Sequence, residues 1–282
     1  MRQYFKGYYF KCRAKDETVA IIPAFHNDGI ESSASLQIIT NDNAYFIPYS
    51  EIRFQEDQLK VGIGPNYFTE KGIYLDVDSE GCRIHGKLRF GKFQKIKYDI
   101  MGPFQYIPFM ECKHSIISMR HSVNGKISIN GKVYNFNQGI GYIEGDRGCS
   151  FPKEYIWTQC HCKNGSIMLS VADIPLLGFH FKGIIGIILV AGQEIRVATY
   201  LGAKVVSVSD DTVVIKQGKY TISAKLLETS NQKLNAPVNG KMSRMIHESA
   251  SCSARYQLIC NDNTLLEFTS QNASFEFEMQ KQ

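Results

Sequence analysis

Apolar and polar residues alternate at a period of two through most of this 282-residue chain, and helical periodicity is nearly absent. Such alternation commits a chain to strands that bury one face each. It is clearest over residues 204–227, where KVVSVS, TVVIKQ and KYTISAKLL are separated by Asp210-Asp211 and by Gly218, giving three short strands of a meander. Just before them, GIIGIILVAGQEIRVATYL reads as a hairpin that turns near Gly192. HSVNGKISINGKVYNF carries Asn124-Gly125 and Asn130-Gly131. Asn-Gly is a strong hairpin signal because both residues tolerate positive φ.

The N-terminal third repeats the pattern in YYFKCRA, TVAIIPAFH, ASLQIIT, NAYFIPY, LKVGIG, GIYLDV and CRIHGKLRF. The C-terminal end does so in SARYQLIC, LLEFTS and ASFEFEM, around Asn261-Asp262-Asn263. Strands at short, regular spacing imply a barrel or sandwich. A parallel sheet would need helical crossovers, and none is legible. The expected fold is therefore all-β, in one large domain or two of ordinary size. Residues 99–115, DIMGPFQYIPFMECKHS, interrupt the alternation with Gly102, Pro103 and Pro108. They are expected to form a long loop, either a packed linker or a lid over an apolar cavity. A boundary there divides the chain into residues 1–115 and 116–282.

Charge narrows the function. The formal net charge is +5, but lysines such as Lys11, Lys60, Lys87, Lys132, Lys204 and Lys216 are dispersed, and no run of five basic residues occurs. Nucleic-acid binding would call for a concentrated basic stripe. A weak attraction to anionic membrane surfaces stays compatible with this charge. The opening MRQYFKGYYFKCRAKDE lacks the apolar core and cleavage site of a secretory signal. The longest apolar run, residues 184–191, falls far short of the ~20 residues a spanning helix needs, and suits a buried strand. A cytoplasmic location is expected. The eight cysteines, without a C-x-x-C pair or an export signal, read as free and mostly buried thiols. Cys160 and Cys162 flank His161; on a strand the thiols share one face and the imidazole the other, a poor zinc geometry. His161 is expected to point away from Trp157 and to be exposed.

Chemistry concentrates in residues 139–160, GIGYIEGDRGCSFPKEYIWTQC. Glu144, Asp146 and Arg147 stand among glycines, and the only tryptophan, Trp157, follows on a strand with Tyr155 and Gln159. Residues 155, 157 and 159 share a face, which suits an apolar pocket with one polar anchor. A tight turn bearing an Asp146–Arg147 surface pair, followed by a core strand, accounts for the same composition.

This segment resembles the signature of the tocopherol cyclase-like family, in its bacterial branch, where G-Y-x-E-x-D-W-G is followed by S-F-P and a W-x-Q strand. The matching residues are Gly141, Tyr142, Glu144, Asp146, Gly148, Ser150, Phe151, Pro152, Trp157 and Gln159. Residues 4–11, YFKGYYFK, are similar to the family's F-E-G-W-Y-F-K opening, and residues 108–118, with Glu111, Cys112 and His114, give a third match. Arg147 and Tyr8 each stand where the family has Trp, and Lys6 where it has an acid.

The resemblance implies two related lipocalin-like antiparallel β-barrel or half-barrel domains. It implies an apolar small-molecule partner such as a prenylated quinol or another terpenoid, and neither redox cofactor nor metal. Plant and cyanobacterial members close a chromanol ring, which requires a proton delivered to an alkene in a dry pocket. Glu144 and Asp146 are then the candidate acids, with Glu111 third. Tyr142, Tyr155 and Trp157 would line the pocket, and Gln159 or His114 would hold a hydroxyl. Arg147 joins the ligand-binding candidates, yet a guanidinium beside a carboxylate favours its ionised form and argues against an acid there. Cyclase or hydratase chemistry, non-catalytic carriage of an apolar molecule, and a partner-binding β protein all remain open at this point.

Overall fold

The computed structural model describes residues 3–55, 58–108, 110–163, 165–176, 178–209, 211–228 and 232–279. Phe109 and Asp210, one in the third matching stretch and one in an expected turn, lie outside them. Twelve strands form the first antiparallel sheet: β1 (Tyr4–Ala14), β2 (Glu17–Asn27), β3 (Ser32–Thr40), β4 (Ala44–Tyr49), β5 (Arg53–Phe54), β6 (Lys60–Ile63), β7 (Asn66–Thr69), β8 (Gly72–Ser79), β9 (Cys82–Phe90), β10 (Cys112–Ile129), β11 (Lys132–Asn135) and β12 (Gly139–Gly148). Ten form the second: β13 (Tyr155–Cys162), β14 (Gly165–Leu176), β15 (Phe179–Val190), β16 (Gln193–Ala198), β17 (Lys204–Val208), β18 (Thr212–Gln217), β19 (Tyr220–Glu228), β20 (Gln232–Val238), β21 (Lys241–Cys260) and β22 (Asn263–Glu278). No α-helix occurs among the described residues, and no helix is long and apolar enough to cross a membrane.

Strand order is β4-β3-β2-β1-β12-β10-β9-β8-β7-β6-β5 in the first sheet and β16-β15-β14-β13-β22-β21-β19-β18-β17 in the second. In each, the chain's last strand of the sheet returns to the middle, beside the first. That return is a long-range pairing which local alternation does not announce.

The chain divides into two compact units, and not at a single point. The first comprises Met1–Lys97, Met110–Phe151 and Leu234–Met245; the second comprises Tyr98–Phe109, Pro152–Lys233 and Ile246–Gln282. A cut between residues 115 and 116 would fall inside β10, whose pairing with β12 begins at Cys112. Residues 98–109 belong to the second unit, where Gly102–Tyr106 make a short 3-10 turn. Arg196 of β16 holds this segment. Its Nη1 donates to the Asp99 carbonyl at 3.0 Å, its Nη2 donates to the Tyr98 carbonyl at 2.8 Å, and its guanidinium stacks on the Tyr98 ring at 3.6 Å.

Several turns follow from the local sequence. Asn130-Gly131, Ala191-Gly192 and Asn261-Asp262 each place two consecutive residues at positive φ between paired strands, the geometry of a two-residue hairpin. Asn124-Gly125 does not turn. It sits inside β10, where Gly125 pairs with Leu88 and takes φ +131°. A Cβ there would lie 2.2 Å from the Lys87 carbonyl oxygen, so the glycine serves close strand approach.

Alternation sorts the side chains of each sheet. Phe10, Cys12, Val19, Ile21, Leu36 and Ile143 face the apolar core of the first unit. Ile156, Cys160, Ile167, Val213 and Phe275 face that of the second. Tyr9, Lys11, Tyr142 and Glu144 have the opposite parity and are buried as well. The same holds for Tyr155, Trp157 and Gln159 on β13. Both faces of the central strands are thus buried, one apolar and one polar. None of the eight cysteines is in a disulfide.

Candidate functional site

Strand β12 places Tyr142, Glu144 and Asp146 at alternate positions on one face. Pairing with β1 sets Lys11 opposite Tyr142, Tyr9 opposite Glu144 and Gly7 opposite Asp146. Pairing with β10 sets His114 opposite Asp146. Beyond it β10 slips register against β12, first between Ile116 and Ser118 and again before His121. Bulges of this kind re-aim side chains and cluster near functional sites.

The result is a compact polar cluster. His114 Nδ1 lies 2.8 Å from Asp146 Oδ1. His114 Nε2 lies 3.2 Å from Glu144 Oε2, a charge contact outside aligned hydrogen-bond geometry. The Tyr142 hydroxyl donates to the same Glu144 oxygen at 2.5 Å. The Cys112 thiol stands 3.6 Å from Asp146 Oδ1.

Burial sets the electrostatics. Desolvation alone would lower the His114 pKa, but Asp146 and Glu144 together outweigh it and hold it well above the usual imidazole value. Desolvation raises the Glu144 carboxyl, against the pull of His114. Burial, then the Glu144 charge, push the Tyr142 phenol well up. Burial and the Asp146 charge likewise raise the Cys112 thiol. A proton is therefore retained near neutral pH within a group of acids and an imidazole. His114, Glu144 and Asp146 also each offer one ligand atom within 4.8 Å of the others, a spacing a metal ion could use.

Sequence reasoning finds part of this. Tyr142, Glu144, Asp146 and His114 do come together. Glu111 does not join them: its backbone carbonyl accepts from the amides of Cys149 (2.8 Å) and Ser150 (3.2 Å) and tethers the end of β12. The Asp146–Arg147 pair of the alternative reading is not formed among the described residues. Adjacent strand residues point to opposite faces, so Asp146 turns to His114 while Arg147 is exposed on the other side, between Lys6 and Lys113 in register. Its charge acts on Tyr4 and Tyr8 instead, opposing the burial that raises both phenols. Lys11, one of many dispersed charges in the sequence, is wholly buried. Its parity with Tyr9 is the signal that could have found it.

Tyr155, Trp157 and Gln159 lie on β13 of the second unit and share a buried face there. His161 has the same parity and is buried too, contrary to the exposed, opposite-facing position expected. Glu276 of β22 pairs in register with Trp157, and Glu248 of β21 pairs with Glu276. The Tyr155 hydroxyl donates to Glu276. Nothing in the local sequence singles out Glu276, and the His247-Glu248 segment, though similar to one the family carries, gives no role for Glu248.

The strands that build the polar cluster of the first unit, together with β13, fall inside one stretch, residues 81–175, that matches a known family. It is the tocopherol cyclase-like family. The stretch that matches this family spans about a third of the chain and contains His114, Tyr142, Glu144, Asp146, Trp157 and Gln159. No curated protein sequence matches the chain. Among solved structures, that of CghA aligns over 99% of this chain and 89% of its own, with a TM-score of 0.64 and 8% identity. An AttH candidate (NE1406) from Nitrosomonas europaea aligns over 100% of this chain and 94% of its own, with a TM-score of 0.57 and 8% identity. At that identity the likeness establishes the fold: two antiparallel, lipocalin-like sheets, as the tocopherol cyclase-like resemblance implied.

Proposed function

We propose that this chain binds a prenyl or terpenoid molecule and transfers a proton to one of its alkenes, closing a ring or adding water. The observation that carries this reading is His114 in contact with both motif carboxylates, under burial, with Tyr142 on Glu144.

Glu144 is the proton donor in this reading. Its carboxyl gives a proton to the alkene carbon, which leaves a tertiary cation at the neighbouring carbon. The carboxylate that results is stabilised by the His114 imidazolium and the Tyr142 hydroxyl. A phenol or water oxygen then bonds to the cation, and its proton returns to Glu144. The product has gained one C–O and one C–H bond, and the protein is unchanged. Asp146 fixes the imidazole through Nδ1, so that Nε2 faces Glu144; this is the orienting role a carboxylate plays beside a working histidine. Tyr9, opposite Glu144 and buried, offers an aromatic face to the cation, an interaction of about 2 kcal/mol when desolvated. With Arg147 on the other face, the charge that argued against an acid here is removed from Asp146.

Non-catalytic carriage is the second reading. The pairing that keeps His114 charged also neutralises the carboxylates, and a carrier would keep such a pair for structure alone.

Incubation with prenylated hydroquinols and polyprenols, followed by liquid chromatography with mass detection, separates the two. Cyclisation leaves the mass unchanged and shifts retention; hydration adds one water. Product that vanishes in Glu144→Gln and His114→Gln, and that survives a chelator, supports the proton-transfer reading. Substrate retained through gel filtration without conversion supports the carrier. Neither conversion nor retention overturns both for this ligand class.

A further inference from the structure

The polar face of the second unit has a feature that its strand pattern does not require. Gln159 is 0% exposed, and among the described residues neither its Nε2 nor its Oε1 has a hydrogen-bond partner. A buried amide with both atoms orphaned costs the desolvation of each, and folded proteins seldom retain one without a reason. The hydroxyl of Ser166, 1% exposed, is a second orphan. Ser166 pairs in register with His161 on β13, one alternate position from Gln159, so both orphans look out from the same face.

The surroundings define what could satisfy them. Trp157 precedes Gln159 on that face, and Met168 and Ile187 extend it across β14 and β15. On the other side stand Glu276, in register with Trp157, and Glu248, in register with Glu276, both buried. Carboxyl-bearing side chains on that side disfavour an anionic ligand and suit a neutral one. A glutamine amide offers one donor and one acceptor side by side. Its complement is another planar group with adjacent donor and acceptor.

We propose that the Gln159 face of β13 binds the neutral amide group of an otherwise apolar ligand, with Trp157 against the apolar part and Ser166 as a further hydrogen-bonding partner. This site lies outside the His114 cluster, and its test needs no turnover, so it stands or falls apart from the acid–base reading.

Trp157 is the only tryptophan of the chain and therefore reports on this face alone. The full chain would be titrated with dodecanamide, dodecanol and dodecanoate while tryptophan emission is followed. The expected result is saturable binding of dodecanamide at least tenfold tighter than dodecanol, with dodecanoate weakest. Gln159→Met is expected to abolish the preference for the amide and to raise the melting temperature, because it removes the orphaned atoms while keeping the volume. Equal affinity for the three probes, or no binding, overturns the proposal. So does a Gln159→Met variant that melts lower and keeps the preference, since the amide would then serve structure. Should that variant fail to fold, Ser166→Ala must weaken dodecanamide binding at least threefold with dodecanol unaffected; unchanged affinity overturns the proposal equally.

Discussion

His114 and Asp146 occupy directly paired positions of β10 and β12, and the imidazole Nδ1 stands 2.8 Å from the carboxylate Oδ1. The contact is thus set by strand register. A one-residue slip would put the two side chains on opposite faces of the sheet.

This pairing predicts a pH dependence of definite sign. The folded state holds the His114 proton well above 6.5, where the unfolded chain has released it. The stability it contributes is fully present below about pH 6.5 and is lost as pH rises through the folded value. Glu144, raised above 4.5, acts in the same direction from its own lower starting point. His114 resonances in a nuclear magnetic resonance titration are expected to stay those of the imidazolium through neutral pH. Asp146→Asn should bring the transition down and flatten the loss of stability toward alkaline pH.

His26 and His121 predict the opposite sign. Burial lowers both to about 4 from 6.5. Their contribution is present above pH 6.5 and is lost as pH falls toward 4. A displacement of that size corresponds to roughly 3 kcal/mol for each. His121 is packed against Phe90 and Phe93 at 4.6 and 4.8 Å between ring centroids, with its Nδ1 3.0 Å from the Ser118 hydroxyl. His121→Gln should shift the acid-unfolding midpoint to lower pH, read by circular dichroism.

Two glycines separate steric need from backbone conformation. A Cβ on Gly148 would lie 1.9 Å from the Glu111 carbonyl oxygen, the acceptor that tethers the end of β12. Gly148→Ala should cost about 3 kcal/mol or more in urea unfolding, since backbone must move. At Gly131, where φ is +84°, an added Cβ would meet nothing within 4 Å. Gly131→Ala should cost only about 1 kcal/mol, from the left-handed conformation alone.

Arg196 is expected to control residues 98–106. It holds two carbonyls and stacks on Tyr98, and a lysine cannot reproduce the fork. Arg196→Lys should increase hydrogen exchange across Tyr98–Tyr106 at least tenfold, with β13 and β14 little changed. Equal protection in the variant would show that the segment is held by other contacts.

Local sequence determined a good deal of this protein. Period-two alternation specified the strands, and Asn130-Gly131 and Asn261-Asp262 specified their hairpins, because each depends on residues within a few positions of one another. The same parity placed Tyr142, Glu144 and Asp146 on one face, and Tyr155, Trp157 and Gln159 on another. Asn124-Gly125 misleads because a glycine that permits a turn also permits close strand approach, and only the neighbouring strand β9 decides between them. Tertiary structure alone brought His114 to Asp146, Glu276 to Trp157 and Lys11 to Tyr142. Those partners are tens of residues or more apart in the chain, and their meeting depends on β12 and β22 returning to the middle of their sheets. Arg147 shows the same division: its charge is written in the sequence, but which carboxylate it could reach was settled by the pleat of the strand and by the histidine already waiting across from Asp146.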